Sequence, residues 1–242
     1  MVRQQPSGSV VVTGAGSGIG LATVRLLLAA GRHVLAWDRD LAGLTGLDDR
    51  RLLAERLDVR DRAAMDGALA AAGGRFPPVA GLVACAAIFH RKPFLDLDEA
   101  SWDAHFAVNL KGSLLACQAV LPGMRRRRAG SIVLMSSTLA RTGSPTGAHY
   151  AATKGAILGL ARSLSLEVAR EGIRVNVVSP GLTDTPQPRG HGPEEELLAR
   201  ARKLPMGRMA QPQEIAEAAL FLLGPESSFV TGQDLAVNGG LL

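Results

Sequence analysis

The feature that most restricts how this chain can fold is a glycine-rich turn between a short aliphatic strand and a helix. Residues 9–13 form the predicted strand, and the helical pattern runs over residues 18–30 until Gly31 ends it. The turn reads Thr13-Gly14-Ala15-Gly16-Ser17-Gly18-Ile19-Gly20. Glycines permit a tight turn and close approach of a ligand to the backbone, and the free N–H groups at the helix start attract an anion. The order strand, glycine turn, helix therefore predicts a β-α-β unit with an anion site at its turn.

Short aliphatic runs alternate with longer helical periods along the rest of the chain, which favours a parallel sheet with helices. The predicted strands are residues 9–13, 33–37, 51–57, 79–85, 130–135, 173–178 and 234–237. The predicted helices are residues 18–30, 61–72, 101–124, 149–171, 194–203 and 212–223, with an irregular stretch at 186–193. The sequence is 47% hydrophobic but only 4% aromatic, as expected for aliphatic strands buried on both faces. We expect an α/β fold, a single doubly wound Rossmann-type domain over residues 1–242 with about seven parallel strands and helices on both faces.

The formal net charge of +5 raises the question of a nucleic-acid partner. The one dense basic run, Arg125 to Arg128, follows an apolar helical stretch and precedes Gly130, which is typical of a solvated helix C-terminus. No aromatic side chains for base stacking are interleaved with these arginines. We therefore expect no nucleic-acid partner.

The two cysteines, Cys85 and Cys117, lie in apolar segments without the spacing of a metal site or a disulfide framework. Buried free thiols and no bound metal are expected. The first nine residues lack the hydrophobic core of a signal peptide, and no apolar run reaches membrane-spanning length. These features predict a cytoplasmic protein without a membrane partner.

The acidic residue at the end of the second predicted strand bears on which dinucleotide the turn would hold. Asp38 can accept hydrogen bonds from the adenosine ribose hydroxyls of NAD, and its charge would repel the 2′-phosphate of NADP. Arg39 complicates this choice, because an arginine can accommodate that phosphate. Since Ser17 rather than a basic residue occupies the glycine turn, we favour NAD over NADP. Asp58 and Val59, after the third strand, are candidates for contacts with the adenine.

A tyrosine and a lysine four residues apart make the candidate chemical group. Tyr150 and Lys154 share one face of a predicted helix, where a nearby ammonium is expected to lower the pKa of the phenol. Ser137 follows the fifth strand and could stabilise charge on a substrate oxygen, with Ser136 as the rival candidate. Asn109 lies inside the long predicted helix, where asparagine is disfavoured. Its amide could kink the helix and hold a water against Lys154.

Together these residues resemble the short-chain dehydrogenase/reductase family. The resemblance spans Thr13 to Gly240, on the glycine turn, Asn109, Ser137, Tyr150-x-x-x-Lys154 and Pro180-Gly181-x-x-x-Thr185. It implies an Asn-Ser-Tyr-Lys tetrad, a mobile substrate lid at about residues 186–203, and a homotetramer joined by the two long helices and the C-terminal edge. The implied cofactor contacts are Gly14, Ser17, Gly18, Ile19, Gly20, Asp38, Arg39, Asp58, Val59, Ala84, Ala86, Asn109, Tyr150, Lys154, Pro180, Gly181, Thr183 and Thr185.

One segment departs from the family pattern. After the fourth strand the family usually carries Asn-Asn-Ala-Gly, whereas this chain has Ala84-Cys85-Ala86-Ala87. The alanines preserve close backbone approach to the cofactor, but the bracing asparagine side chains are missing. We expect an effect on local rigidity rather than on catalysis.

The function expected from these residues is hydride transfer between NAD(H) and a secondary alcohol or ketone. The alternatives are an NADPH-dependent 3-oxoacyl-[acyl-carrier-protein] reductase and a non-catalytic NAD-binding regulator. The sequence does not name the substrate. Residues expected near it, some apolar and some basic, are Leu139, Pro145, His149, Leu182, Phe89, His90 and Arg91, which is compatible with an anionic small molecule.

Overall fold

Seven parallel strands form one sheet in the computed structural model, which describes residues 8–190 and 192–241. Their spatial order is β3-β2-β1-β4-β5-β6-β7, so the chain starts near the middle and winds outward in both directions. The predicted doubly wound α/β fold is confirmed. The strands are β1 (Ser9–Thr13), β2 (Val34–Asp38), β3 (Leu52–Arg56), β4 (Val79–Ala84), β5 (Gly130–Met135), β6 (Ile173–Pro180) and β7 (Asp234–Val237).

The helices cover both faces of this sheet. They are α1 (Gly18–Ala29), α2 (Arg62–Ala72), α3 (Glu99–His105), α4 (Gly112–Arg127), α5 (Leu139–Thr142), α6 (Ala148–Val168), α7 (Pro186–Arg189), α8 (Glu194–Arg202) and α9 (Pro212–Leu223). Because successive strand residues point to opposite faces, Val11 of β1 packs with α2, α4 and α6, while Val10 and Val12 pack with α1 and α9. The sheet thus separates two aliphatic cores.

The predicted helix over residues 101–124 is interrupted, which corrects the expectation of one continuous helix. A π-helical turn, Phe106–Lys111, separates α3 from α4 and contains the buried Asn109. Such wide turns are rare and often occur at functional sites. Asn109 was expected to distort the helix, and the distortion is a local widening of the turn.

Two short helices were not predicted. Leu139–Thr142 forms a single turn after β5, and Pro186–Arg189 forms another inside the stretch expected to be irregular. The second has proline at its first position, where the fixed φ angle favours a helix start. Both turns are too short for hydrophobic periodicity to indicate them.

The arginine run at the end of α4 lies on the surface, as expected. Arg125 forms ion pairs with Glu167, at 2.7 Å, and with Glu171, at 3.2 Å. Helix α4 ends at Arg127, and the next residue, Arg128, adopts the left-handed conformation. These arginines therefore tie α4 to the end of α6.

Candidate active site

A cavity of about 430 Å³ lies at the carboxyl ends of the central strands, where open α/β sheets bind their ligands. Its wall combines the glycine turn, the ends of β2 to β6, the start of α6, and the segment after β6. Sixteen of the eighteen predicted cofactor residues line it; the exceptions are Ala84 and Asn109. Ala84 is buried in β4, and Asn109 lies behind the wall.

The glycine turn has the shape that a pyrophosphate group needs. Gly14 has a φ of +66°, and a Cβ on Gly20 would lie 1.9 Å from the carbonyl oxygen of Gly14, so side chains are excluded there. Ser17 precedes α1 without capping its N-terminus through its side chain, and the first turn of α1 contains no acidic residue. The free N–H groups and the helix dipole therefore fit an anion at this place.

Asp38, at the end of β2, is held beside the glycine turn by two backbone hydrogen bonds. Its carboxylate accepts from the N–H of Gly16 at 2.8 Å and from that of Asp40 at 3.0 Å. Arg39 is exposed, and its guanidinium lies 3.9 Å from Asp58. Asp58 accepts a 2.7 Å bond from Arg60, and this bond is the main reason that its pKa is below the usual value.

Tyr150 and Lys154 both lie on α6, and both are buried. The Nζ of Lys154 is 5.6 Å from the centroid of the Tyr150 ring and donates a 2.8 Å hydrogen bond to the carbonyl oxygen of Met135. The side chains of Gln187 and Ser137 lie near enough to the hydroxyl of Tyr150 to lower its pKa. The other face of the tyrosine is covered by Phe89, with ring centroids 4.5 Å apart.

Burial shifts the pKa of both residues towards the neutral form. It raises the pKa of Tyr150, although the side chains of Gln187 and Ser137 act in the opposite direction. It lowers the pKa of Lys154 to about 8. In the protein alone, the direction for Tyr150 is opposite to the one expected from a neighbouring ammonium, because burial of the phenol outweighs the other effects.

The structure distinguishes the two candidate serines. Ser136 donates a 2.8 Å hydrogen bond to the carbonyl oxygen of Lys154, which fixes the start of α6 against the end of β5. Ser137 has its hydroxyl at Tyr150 and accepts a 3.2 Å bond from the N–H of Leu139. Ser137 is therefore the serine placed to meet a substrate oxygen together with Tyr150.

The side chain of Asn109 forms hydrogen bonds to main-chain groups and does not line the cavity. Its side chain accepts from the N–H of Ile88 at 2.8 Å and donates to the carbonyl of Ile88 at 3.0 Å. It also donates to the hydroxyl of Thr153 at 3.1 Å, next to Lys154 in sequence. Asn109 thus connects the segment after β4 to the helix that carries Tyr150 and Lys154.

The same segment is braced at its other end by the first strand. The N–H of Cys85 donates to the carbonyl of Thr13 at 3.1 Å, and the N–H of Ala86 donates to the hydroxyl of Thr13 at 3.2 Å. Thr13 and Asn109 therefore fix the backbone where the expected asparagines are absent. Neither cysteine forms a disulfide. Burial raises the pKa of both thiols to about 12, although Cys85 is only partly buried and lines the cavity.

Four of the seven residues expected near the substrate line the cavity: Leu139, Leu182, Phe89 and Arg91. Pro145, His90 and His149 do not. His149 is fully buried, with its ring centroid 3.9 Å from that of His105, and burial lowers the pKa of both. His149 therefore packs behind Tyr150 instead of facing a substrate.

Comparison with known proteins agrees with this geometry. The model of a family described as enoyl-(acyl carrier protein) reductase matches residues 14–242. A crystal structure of a 3-oxoacyl-[acyl-carrier protein] reductase with bound NAD from Brucella melitensis superposes with a TM-score of 0.87 and 35% identity, over 97% of this chain and 90% of that one. The chain belongs to the short-chain dehydrogenase/reductase family.

Two sequence relatives of this short-chain dehydrogenase/reductase cover nearly its whole length. The 2-keto-3-deoxy-L-fuconate dehydrogenase of Xanthomonas campestris is 36% identical over 95% of this chain and 78% of its own. The cis-4-hydroxycyclohexanecarboxylate dehydrogenase of Sinomonas cyclohexanicum is 39% identical over 95% of this chain and 94% of its own. The protein is therefore an oxidoreductase of CH–OH groups that uses a nicotinamide cofactor.

Sequence reasoning missed three polar side chains of the short-chain dehydrogenase/reductase cavity, Thr138, Gln187 and Arg200. Thr138 follows β5, and the other two lie in the segment after β6. Sequence pattern gives no information on which side chains of these segments face inward. Within residues 8–190 and 192–241, no group of three His, Cys, Asp or Glu side chains is placed to hold a metal ion. The described helices include none that is long and apolar enough to cross a membrane.

Proposed function

We propose that this protein is an NAD(H)-dependent dehydrogenase of secondary alcohols, or equally a reductase of the corresponding ketones, with Tyr150 as the proton-transfer residue. The observation that carries this proposal is that Tyr150, Ser137 and Lys154 line one cavity together with the glycine turn. Bound NAD(H) supplies or accepts the hydride. The protein contributes position, proton transfer and charge stabilisation.

Each member of the proposed tetrad has a distinct task. Tyr150 takes the alcohol proton, or returns it to the ketone oxygen, while Ser137 donates a hydrogen bond to the same oxygen. Lys154 favours the ionised form of Tyr150 and holds the nicotinamide ribose. Asn109 fixes the backbone at Ile88 and the start of α6, so its contribution is positioning; the water that it was expected to hold against Lys154 stays a prediction.

Asp38 supports NAD rather than NADP as the cofactor. Two backbone hydrogen bonds hold its carboxylate at the cavity wall, where an adenosine ribose would lie. A 2′-phosphate at that position would meet its negative charge. The guanidinium of Arg39 lies near Asp58 and is exposed, so it gives little compensation.

Exposed apolar side chains support the expected homotetramer. Leu114 on α4 and Leu166 on α6 are exposed, as are Phe229 and Leu235 at the C-terminal edge of the sheet. Large apolar side chains that remain exposed together mark interaction surfaces. The proposed assembly therefore joins copies through α4 and α6 and through the edge next to β7.

The segment 186–203 is proposed as the substrate lid of a single domain. It contributes Pro186, Gln187 and Pro188 to the cavity wall and packs Leu197 and Ala201 against Met209. Arg189 forms ion pairs with Asp184, just before this segment, and with Glu194 inside it. Its closure over a bound ligand and a cytoplasmic location remain predictions.

An NADPH-dependent 3-oxoacyl-[acyl-carrier-protein] reductase is the second candidate, because a 3-oxoacyl-[acyl-carrier protein] reductase from Brucella melitensis superposes on this chain. Titration of protein fluorescence with NADH and NADPH, followed by assays with acetoacetyl thioesters, distinguishes the two. The third candidate, a non-catalytic regulator, is excluded by any turnover that depends on Tyr150.

The deciding experiment is an absorbance assay of NADH with a panel of secondary alcohols and ketones. We expect Tyr150→Phe to lower kcat by at least about a thousandfold while NADH affinity stays within a few-fold, because only a proton-transfer group is lost. Ser136→Ala serves as the matched control for Ser137→Ala. A Tyr150→Phe enzyme with near wild-type kcat contradicts the proposal.

A further inference from the structure

Two arginines from different parts of the chain line the same cavity. Arg91 lies in the segment after β4, two residues beyond the Phe89 that covers Tyr150. Arg200 lies on α8, in the lid segment. Both side chains are solvent-exposed. The pKa of Arg200 is nevertheless lowered, first by desolvation and then by the charge of Arg91, so the two guanidinium groups are near enough to repel each other.

Two other basic residues in the same two segments have acidic partners. Lys92 bonds to Asp98, and Arg189 bonds to both Asp184 and Glu194. In the described parts of the chain, 8–190 and 192–241, no carboxylate lies within 4 Å of Arg91 or Arg200. Two like charges at one cavity wall, unpaired with any carboxylate of the described residues, form a site that an anion would stabilise.

The arginine pair lies in segments other than the glycine turn. Arg91 and Arg200 belong to the two segments that contact Tyr150, through Phe89 and Gln187 respectively. The pyrophosphate site lies instead at the glycine turn, Gly14 to Gly20, in a different part of the chain. Outside that turn, the lining of the cavity includes the apolar side chains of Leu139, Leu182 and Leu241. An anion there would therefore belong to the substrate, joined by an apolar skeleton to the carbon at Tyr150.

We propose that Arg91 and Arg200 bind an anionic group of the substrate, which makes hydroxy acids and oxo acids the preferred substrates over neutral alcohols. This inference rests on the proposed function, because it takes the Tyr150 hydroxyl as the point where the carbinol oxygen binds. The anion has two chemical sources: a carboxylate of the substrate itself, or a phosphate of a pantetheine thioester.

The first test compares acids with their neutral counterparts on wild-type enzyme and NAD. The substrates are 4-hydroxypentanoate, 5-hydroxyhexanoate and 4-hydroxycyclohexanecarboxylate, each beside its methyl ester. We expect kcat/KM for the best acid to exceed that of its ester at least tenfold, as a charge-assisted bond to a guanidinium implies. A parallel arm uses NADH, because its substrates are ketones, and compares acetoacetyl-coenzyme A with acetoacetyl-N-acetylcysteamine. A preference confined to this arm assigns the anion to the pantetheine phosphate.

The second test uses Arg91→Gln, Arg200→Gln and the double variant. The readout is the acid-to-ester ratio of kcat/KM, or the coenzyme A-to-cysteamine ratio, because a general structural defect lowers both members of each pair alike. We expect each single variant to lower the ratio several-fold and the double variant to bring it close to one. Arg200→Lys should retain part of the preference. Arg202→Gln, which removes an exposed arginine from the same helix outside the cavity, is the matched control.

A binding measurement covers the case in which no panel member is turned over. The enzyme–NADH complex is titrated with cyclohexanecarboxylate and with cyclohexanecarboxamide, followed by NADH fluorescence. Selective binding of the carboxylate supports the anion site if it is lost in the double variant. Equal binding of the two compounds, or binding of neither, overturns the inference unless the enzyme prefers acetoacetyl-coenzyme A in the thioester arm. Equal turnover of acids and esters overturns the inference but leaves the proposed function intact. Absence of Tyr150-dependent turnover with every substrate contradicts the proposed function itself.

Discussion

The ammonium group of Lys154 donates a 2.8 Å hydrogen bond to the main-chain carbonyl oxygen of Met135, at the carboxyl end of β5. The lysine is almost completely buried, and burial lowers its pKa to about 8 from the ordinary value of 10.5. The protein therefore keeps a charged group inside the fold at neutral pH, and no carboxylate in the described residues forms an ion pair with it. That arrangement opposes folding and leaves the ammonium available to the active site.

The first prediction concerns the cost of this buried charge to stability. Between pH 8 and 10.5 the unfolded chain holds a proton on Lys154 that the folded protein has released, so this residue makes stability rise with pH over that window. We expect wild type to gain about 2 kcal/mol in unfolding free energy relative to Lys154→Met between pH 7 and 9.5. Urea unfolding of the cofactor-free proteins measures this difference. Lys111→Met, which removes an exposed lysine, should follow wild type, and a pH-independent difference for Lys154→Met would contradict the prediction.

The second prediction tests the positioning role of Asn109. Asn109→Ala removes all three hydrogen bonds of the side chain and leaves both backbone groups of Ile88 without these partners. A loss of about 2–4 kcal/mol in unfolding free energy is expected, together with a lower kcat. Amide hydrogen exchange at Ile88 should become faster in the folded protein. Thr153→Val removes only one partner of Asn109, and it should leave exchange at Ile88 close to wild type.

Much of the fold could be predicted because strands, helices and the glycine turn each carry a local pattern. The turn after β1 could be recognised because it requires glycine: a Cβ at Gly20 would collide with the backbone of Gly14. The interruption at residues 106–111 was not predictable, because a π-helical turn preserves a helix-like spacing of apolar residues. Asn109 gave the one signal there, as an asparagine inside an apolar helix.

The site residues were predictable where their chemistry depends on spacing along the chain. They were not predictable where it depends on which segments approach each other in the folded protein. Tyr150 and Lys154 share a helix face whatever surrounds them. Ser136 and Ser137 differ only in which one faces Tyr150, and the backbone after β5 decides that. Gln187 comes from the stretch expected to be irregular, and Arg200 from the predicted helix at residues 194–203. Both reach the cavity because the chain after β6 folds back over it, and no local rule specifies that path.

The third prediction concerns cofactor choice at Asp38. Asp38→Ala removes the charge that would repel a 2′-phosphate and the acceptor for ribose hydroxyls. We expect NADH to bind at least about tenfold more weakly and the preference for NADH over NADPH to fall by one to two orders of magnitude. Fluorescence titration with both cofactors measures this. Asp40→Asn, which alters the exposed neighbour, is the control, and an unchanged preference in Asp38→Ala would remove the basis for proposing NAD.

The fourth prediction concerns assembly. Leu166 on α6 and Phe229 before β7 are among the most exposed large apolar side chains of the described residues. If they lie in the proposed interfaces, Leu166→Glu and Phe229→Ser should each convert a tetramer to dimers, because a different interface is lost in each. Light scattering after size exclusion measures the mass. Leu95→Ser, equally exposed but in the segment after β4, should stay tetrameric; a monomeric wild type would contradict the proposed assembly.

The fifth prediction follows from the contact between Gln187 and the hydroxyl of Tyr150. This contact acts to lower the pKa of Tyr150, against the larger effect of burial. Its loss in Gln187→Ala should raise the tyrosine pKa, so the pH at which alcohol oxidation becomes active moves upward. The pH dependence of kcat/KM reports the free enzyme, in which this contact exists, and is therefore the measurement to make. Glu195→Gln changes an exposed lid residue outside the cavity and should leave the profile in place. A Gln187→Ala profile that coincides with wild type would mean that Gln187 does not influence proton transfer, and a parallel fall in rate at every pH would indicate only a disturbed lid.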